Sequence, residues 1–181
     1  MSKINRSEKL VTFGGTTKHV IAPDPCSRAW VEVDSKAIEN NSRLLKKFIG
    51  KDCLLMAVVK ADGYGHGAVT VAKAALSGGA DSLGVATLQE GIDLREAGFD
   101  CQILVLGNLI NKEELASCLI WGLTPTLSSI REAIICQNLA ESLERQFNVH
   151  LKIDTGMTRL GCSLEDVSDL VSKIDCLKNL H

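Results

Sequence analysis

Residues 54–67 read LLMAVVKADGYGHG. The first six, Leu54 to Val59, are continuously apolar and end in a β-branched pair, which predicts a strand buried on both faces, as inside a parallel sheet. Lys60 follows at the strand's C-terminal end, and Gly63, Gly65 and Gly67 then alternate with Tyr64 and His66. Ligands of parallel α/β folds sit outside the C-terminal ends of the strands. A lysine ending this run therefore projects toward a site, and the glycine-rich turn behind it lets a ligand approach the backbone.

Working outward, the same unit recurs. Downstream, strands are expected at Leu83–Ala86, Ile103–Leu106, Leu123–Leu127 (weakened by Pro125) and Val149–Ile153. Between them Thr87-x-x-Glu90, Asn111-x-x-Glu114 and Ser129-x-x-Glu132 open helices, the first two closing at Gly98 and Gly122. Ser163-x-x-Asp166 is expected to open a last helix through Val167, Leu170, Val171 and Ile174, and Asn179-Leu180-His181 resembles the start of a further strand. Upstream, Ala29–Val33 alternates toward a short strand. An amphipathic helix carrying Ile38, Leu44, Leu45, Phe48 and Ile49 follows and stops at Gly50, and a second helix runs from Ala68 to Leu76. Residues 1–28 are polar and mixed and read as a flexible leader, with a short strand near Leu10–Phe13. Strands alternating with capped helices mean an α/β fold with a parallel sheet. An open doubly wound sheet and an eight-stranded barrel both use that pattern.

The 181 residues are 45% hydrophobic and 23% charged with net charge −2, an ordinary globular balance without the basic stripe of a nucleic-acid binder. No apolar run approaches the roughly 20 residues that span a bilayer, and the N-terminus lacks a secretory apolar segment. Both features point to the cytoplasm. Seven cysteines without a Cys-x-x-Cys pair or a nearby histidine read as reduced thiols, with no metal site.

A lysine at a strand end can form a Schiff base with an aldehyde, or act as a base once desolvated. It can also simply point into water. Ala57-Val58-Val59-Lys60-Ala61-Asp62-Gly63-Tyr64-Gly65-His66-Gly67 closely resembles the pyridoxal phosphate signature of the alanine racemase family. His150-Leu151-Lys152-Ile153-Asp154-Thr155-Gly156-Met157-Thr158-Arg159-Leu160-Gly161 resembles its second signature. The resemblance runs from about Ala29 to His181.

That resemblance implies a (β/α)8 TIM barrel, with about five of its eight strands in residues 29–181 and the family's C-terminal β domain absent, as in a truncated chain. It implies a pyridoxal 5'-phosphate-dependent isomerase interconverting L- and D-alanine, in D-alanine biosynthesis for peptidoglycan precursors or in alanine catabolism. Lys60 would carry the cofactor and move the substrate α-proton; Tyr64 would help hold the cofactor phosphate; Leu106 would pack beside the cofactor. Arg159 would contact the cofactor's phenolic oxygen and the substrate carboxylate, and Lys152 matches a lysine that in many members is carbamylated and orients that arginine. Thr158 replaces the glycine usual in the second motif. The family works as a homodimer whose second base is a tyrosine from the partner's C-terminal domain. Tyr64, the only tyrosine here, is already assigned, so the chain would hold the lysine half of a site and be inactive alone. The alternative is a non-catalytic pyridoxal phosphate barrel of the cofactor-homeostasis type. His66 reads as a hydrogen-bonded loop residue, His150 as structural, and Asp154 as either a site contact or the cap of the turn that follows.

Overall fold

Apolar runs separated by capped helices fold Ser35–His181 into one series of βα units. The computed structural model describes residues 8–13, 16–21 and 31–181 of a chain that divides into two units, Met1–Asp34 and Ser35–His181. In the first unit, β1 (Glu8–Phe13) and β2 (Thr16–Ile21) form an antiparallel hairpin with Glu8 opposite Ile21. The expected strand near Leu10–Phe13 is present, and its partner strand was not foreseen. Of the strand expected at Ala29–Val33, residues 29 and 30 lie outside the described residues, and residues 31–34 have no regular structure.

The second unit runs α1 (Ser35–Ile49), β3 (Met56–Val58), the helical turn α2 (Lys60–Tyr64), α3 (Ala68–Ser77), β4 (Ser82–Val85), α4 (Leu88–Glu96), β5 (Gln102–Asn108), α5 (Lys112–Trp121), β6 (Thr124–Leu127), α6 (Ile130–Ser142), β7 (His150–Leu151) and α7 (Val167–Ile174). The five strands β3 to β7 are all parallel and lie in sequential order. A doubly wound sheet reverses direction at a switch point, whereas a barrel adds each strand beside the last. Sequential order thus identifies an arc of a (β/α)8 barrel, the alternative that the pattern of elements left open. Right-handed crossovers in one direction put the helices that connect successive strands on one face, and the core between helices and sheet includes fully buried Leu83, Val85, Ile103, Val105, Leu115 and Leu127.

Three expectations change. The strand read as buried on both faces, Leu54–Val59, is reduced to β3; Leu54 is 78% exposed and only Val59 of the six is buried. The reason is position: β3 pairs with β4 alone and forms an edge of the described sheet. Ser163 and Asp166 close a turn of their own, with the Ser163 hydroxyl donating to the Asp166 carboxylate at 2.7 Å, so α7 starts after them with no side-chain cap. Pro125 nevertheless sits within a buried strand, next to a register shift between Val105 and Asn108. The missing proline N–H is offset by the Thr126 hydroxyl, which donates to the Val105 carbonyl at 2.7 Å. At the other edge Leu180 bridges Phe147 in parallel, so the last residues do begin to pair as a further strand.

The N-terminal ends of the strands are tied by side chains. Asp81 accepts from the Leu55 amide at 2.6 Å and from Lys46 Nζ at 2.7 Å, and these donors hold its carboxyl below the usual range. Arg95, at the end of α4, donates to four backbone carbonyls: Trp121 and Gly122 before β6, Phe99 and Cys101 before β5. Helices α1 and α3 meet backbone to backbone. The buried Ser42 hydroxyl donates to the Ala75 carbonyl at 2.8 Å, and a Cβ on Gly78 would lie 2.3 Å from the Glu39 carbonyl oxygen.

Candidate functional site

The chain leaves β3 through Val59, whose amide donates to the Gly84 carbonyl at 2.8 Å. It then enters a left-handed turn. Ala61, Asp62, Gly63 and Tyr64 have φ of 51°, 52°, 61° and 55°. Glycine alone takes this region freely, and each other L-residue there costs about 1–2 kcal/mol. The turn is therefore held from several sides. The Gly63 amide donates to the Val59 carbonyl at 2.9 Å, and the Gly67 amide to the Asp62 carbonyl at 2.8 Å. The Asp62 carboxylate accepts from the Ala68 amide at 2.8 Å, tying the turn to the first residue of α3. His66 Nδ1 lies 3.1 Å from both the Gly63 and the Tyr64 carbonyl oxygens. Two acceptors facing one nitrogen put the proton on Nδ1; His66 is the hydrogen-bonded loop residue expected. Gly63 has little room for a side chain, since a Cβ there would lie 2.8 Å from Val71 Cγ2 and 3.3 Å from the Ala68 nitrogen.

A further contact was not visible in the sequence. Glu90 caps α4 as its motif predicts, accepting from the Ala86 amide at 2.7 Å and the Thr87 amide at 3.2 Å. Its other oxygen accepts from the Ala61 amide at 2.7 Å. One carboxylate thereby joins the turn after β3 to the end of β4. The only signal for it was the capping box itself, which accounts for one half of the role.

Lys60 begins this turn, half-buried, and none of the described residues hydrogen-bonds or ion-pairs with its amine. Leu106, on β5, is also half-buried; a Cβ built on Gly84 would touch Leu106 Cδ1 and Val58 Cγ2 at 3.4 Å and Met56 Sδ at 3.3 Å. Met56, Val58 and Leu106 thus surround one glycine on the sheet beside the strand that ends in Lys60. Tyr64, in the turn, is 59% exposed.

Lys152 and Arg159 belong to the opposite edge, after β7. The Asp154 amide donates to the Cys162 carbonyl and the Cys162 amide to the Lys152 carbonyl, both at 2.9 Å, closing a loop over residues 154–162. Asp154 organises it: its Oδ1 accepts from the Gly156 and Thr158 amides at 2.9 Å, which with Met157 hold its carboxyl below the usual range. Asp154 is thus the cap of the following turn, the second of its two expected roles. Thr158, with φ +56°, occupies a left-handed position, which accounts for glycine being usual there. Gly161 has no room for a side chain, because a Cβ would lie 2.6 Å from the Asp154 nitrogen. Lys152 and Arg159 are both exposed, and no hydrogen bond joins them among the described residues. His150, expected to be structural, is an exposed residue of β7.

Lys60, Tyr64, Leu106, Lys152 and Arg159 thus all stand at the C-terminal ends of the parallel strands, where such folds bind ligands. Lys60 and Tyr64 lie at one edge, Leu106 on the central strand β5, and Lys152 and Arg159 at the other edge. The chain can offer an unpaired amine, a phenol and a guanidinium around a partly apolar floor.

Comparison with known proteins agrees with this fold. Residues 33–181 match the family described as "Alanine racemase, N-terminal domain". Alanine racemase of Prochlorococcus marinus is 60% identical over 157 residues, covering 87% of this chain and 41% of the relative. That of Synechocystis is 47% identical over 154 residues, covering 85% and 41%. Among solved structures, alanine racemase of Clostridium difficile superposes with a TM-score of 0.74 at 33% identity, over 82% of this chain and 41% of that one. A histidine racemase from Leuconostoc mesenteroides matches with a TM-score of 0.72 at 26% identity, over 81% and 39%. The chain spans about two fifths of the length of the curated relatives it matches.

Proposed function

This chain belongs to the alanine racemase family, of which it carries the N-terminal domain, and from that premise we propose that it contributes the lysine half of a pyridoxal phosphate site interconverting L- and D-alanine. The observation that carries the proposal is Lys60: a half-buried amine with no partner among the described residues, at the C-terminal end of β3, followed by a turn held in one conformation. The donor set fits the cofactor. Lys60 would hold it covalently by its amine, Tyr64 would donate a hydrogen bond to its phosphate, and Leu106 would cover part of its ring. Arg159 would meet its phenolic oxygen and the substrate carboxylate, a task suited to a permanently charged fork, with Lys152, carbamylated, orienting that arginine.

When bound, pyridoxal phosphate supplies an electron sink that makes the substrate α-hydrogen acidic. Racemisation then needs a proton removed from one face and another delivered to the opposite face. Lys60 Nζ serves one face. By likeness to the family, the group for the other face would be a tyrosine from the C-terminal domain of the partner subunit in a homodimer, and Tyr64 would remain with the cofactor phosphate. Alanine is favoured as substrate by the 60% identity to a protein named alanine racemase; the likeness to a histidine racemase is weaker. A cytoplasmic role in supplying D-alanine for peptidoglycan fits the same reading.

The test is borohydride reduction of the protein loaded with pyridoxal phosphate, followed by peptide mapping. The label should fall on Lys60 and vanish in Lys60→Ala. A label on Lys73 or Lys152 instead would overturn the proposal.

A further inference from the structure

We infer that Glu90 is a positioning residue for Lys60, clamping the left-handed turn that starts at that lysine; this rests on the reading of Lys60 as the cofactor lysine. The turn holds three non-glycine residues, Ala61, Asp62 and Tyr64, in the left-handed region. Such a conformation persists only where its surroundings over-determine it. The Ala61 amide comes immediately after Lys60 and donates to Glu90 Oε1 at 2.7 Å. Glu90 Oε2 accepts from the Ala86 and Thr87 amides at 2.7 and 3.2 Å. Both carboxylate oxygens are occupied by backbone donors, so the side chain has no slack. The end of β4 is fixed through the sheet, where Val85 pairs with Val105 and the Gly107 amide donates to the Ala86 carbonyl at 3.1 Å. Glu90 transfers that fixity to the residue following Lys60.

The chemistry singles out a carboxylate. Glutamine has the same shape but one acceptor and one donor end. Whichever way its amide turns, an NH2 group faces either the Ala61 amide or the Ala86 and Thr87 amides. Helix capping alone would explain half of this geometry. Thr87→Ala separates the two roles, because it breaks the same capping box, in which the Thr87 hydroxyl accepts from the Glu90 amide, without touching Ala61.

The experiment compares hydrogen exchange of the Ala61–Gly65 amides, without cofactor, in the unaltered protein, Glu90→Gln and Thr87→Ala. Pyridoxal phosphate binding is measured in parallel by absorbance titration. Glu90→Gln should speed exchange across the turn by roughly ten- to a hundredfold, the scale of a lost charge-assisted hydrogen bond. It should also weaken pyridoxal phosphate binding, while Thr87→Ala leaves both near the unaltered values. Unchanged exchange in Glu90→Gln, or equal acceleration in Thr87→Ala, would overturn the inference. If Glu90→Gln does not fold, the unaltered protein decides: an Ala61 amide exchanging as fast as an open loop amide overturns it, and a slow one upholds it. Failure of the unaltered protein to bind pyridoxal phosphate would instead count against the proposed function, and the exchange comparison would still judge the clamp.

Discussion

At Thr158 the backbone asks a β-branched residue to adopt φ +56°, a region that is a true outlier for such side chains. Relief of about 1–2 kcal/mol by glycine exceeds the roughly 0.5–1 kcal/mol that glycine's extra freedom in the unfolded chain costs. Thr158→Gly should therefore raise the melting temperature by about 1–4 °C for a chain of this size, measurable by calorimetry; a fall would mean that the hydroxyl or methyl has an unrecognised contact. Four residues earlier, Asp154 holds the loop through the Thr158, Gly156 and Met157 amides, which depress its pKa. A carboxyl with a lowered folded pKa stabilises above its unfolded value and loses that contribution as pH falls through the folded one. Asp154 should thus leave the loop unchanged with pH above about 4, near the usual aspartate value, and release it only in stronger acid. Asp154→Ala should release it at neutral pH, seen as faster tryptic cleavage after Arg159; equal cleavage rates in the two proteins would contradict this. At this scale the motif residues were legible, because strand ends and turn glycines mark themselves by type. The left-handed conformation of Ala61, Asp62 and Tyr64 was not, since no intrinsic preference favours it.

Among the elements, the capping residues were read most accurately. Thr87–Glu90 and Ser129–Glu132 form complete capping boxes, and Asn111 accepts from the Glu114 amide. Ser163–Asp166 has the same letters but closes its own turn, because a cap motif is satisfied by whichever backbone amides lie nearest. The strand ends were less legible: β3 and β7 are short because each lies at the edge of the described sheet. Arg95 carries no sequence signal for its role, as a helical arginine reads as solvent-facing. Its four carbonyl contacts join α4, the start of β5 and the start of β6. Charge-assisted bonds of this kind contribute about 1.5–3 kcal/mol each when buried, and these are partly exposed. Arg95→Ala should cost about 2–4 kcal/mol in total, and Arg95→Lys nearly as much, because an ammonium cannot span four acceptors. Urea unfolding of both variants checks this; a lysine variant as stable as the original would show that one contact carries most of the effect.

In the whole molecule, alternating strands and helices announced an α/β fold; their pattern alone left the winding open, and the family resemblance implied the partial barrel that the strand order bears out. Helix α1 carries exposed apolar side chains: Phe48 is 89% exposed, and Leu44 and Leu45 are also exposed. The 181-residue chain alone should not racemise alanine. On the proposed reading it would supply a proton-transfer group for one face only, and loss of one acid–base group typically costs about 10² to 10⁴ in rate. A coupled D-alanine assay on the purified, cofactor-loaded chain, with Lys60→Ala as control, measures this. Turnover near that of a complete racemase, abolished by the control, would show that residues within this chain suffice.

The side-chain ties at Asp81 and Arg95 lie at the N-terminal ends of the strands, whereas Lys60, Tyr64, Lys152 and Arg159 lie at the C-terminal ends. Mutational tolerance should therefore divide by rim. A saturation library of the Asp81 and Arg95 neighbourhoods would sort by thermal selection and be nearly blind to cofactor capture. A library around residues 60–67 and 152–161 would sort the other way. Such a division would let robustness be bred into one end of the barrel without disturbing the chemistry at the other.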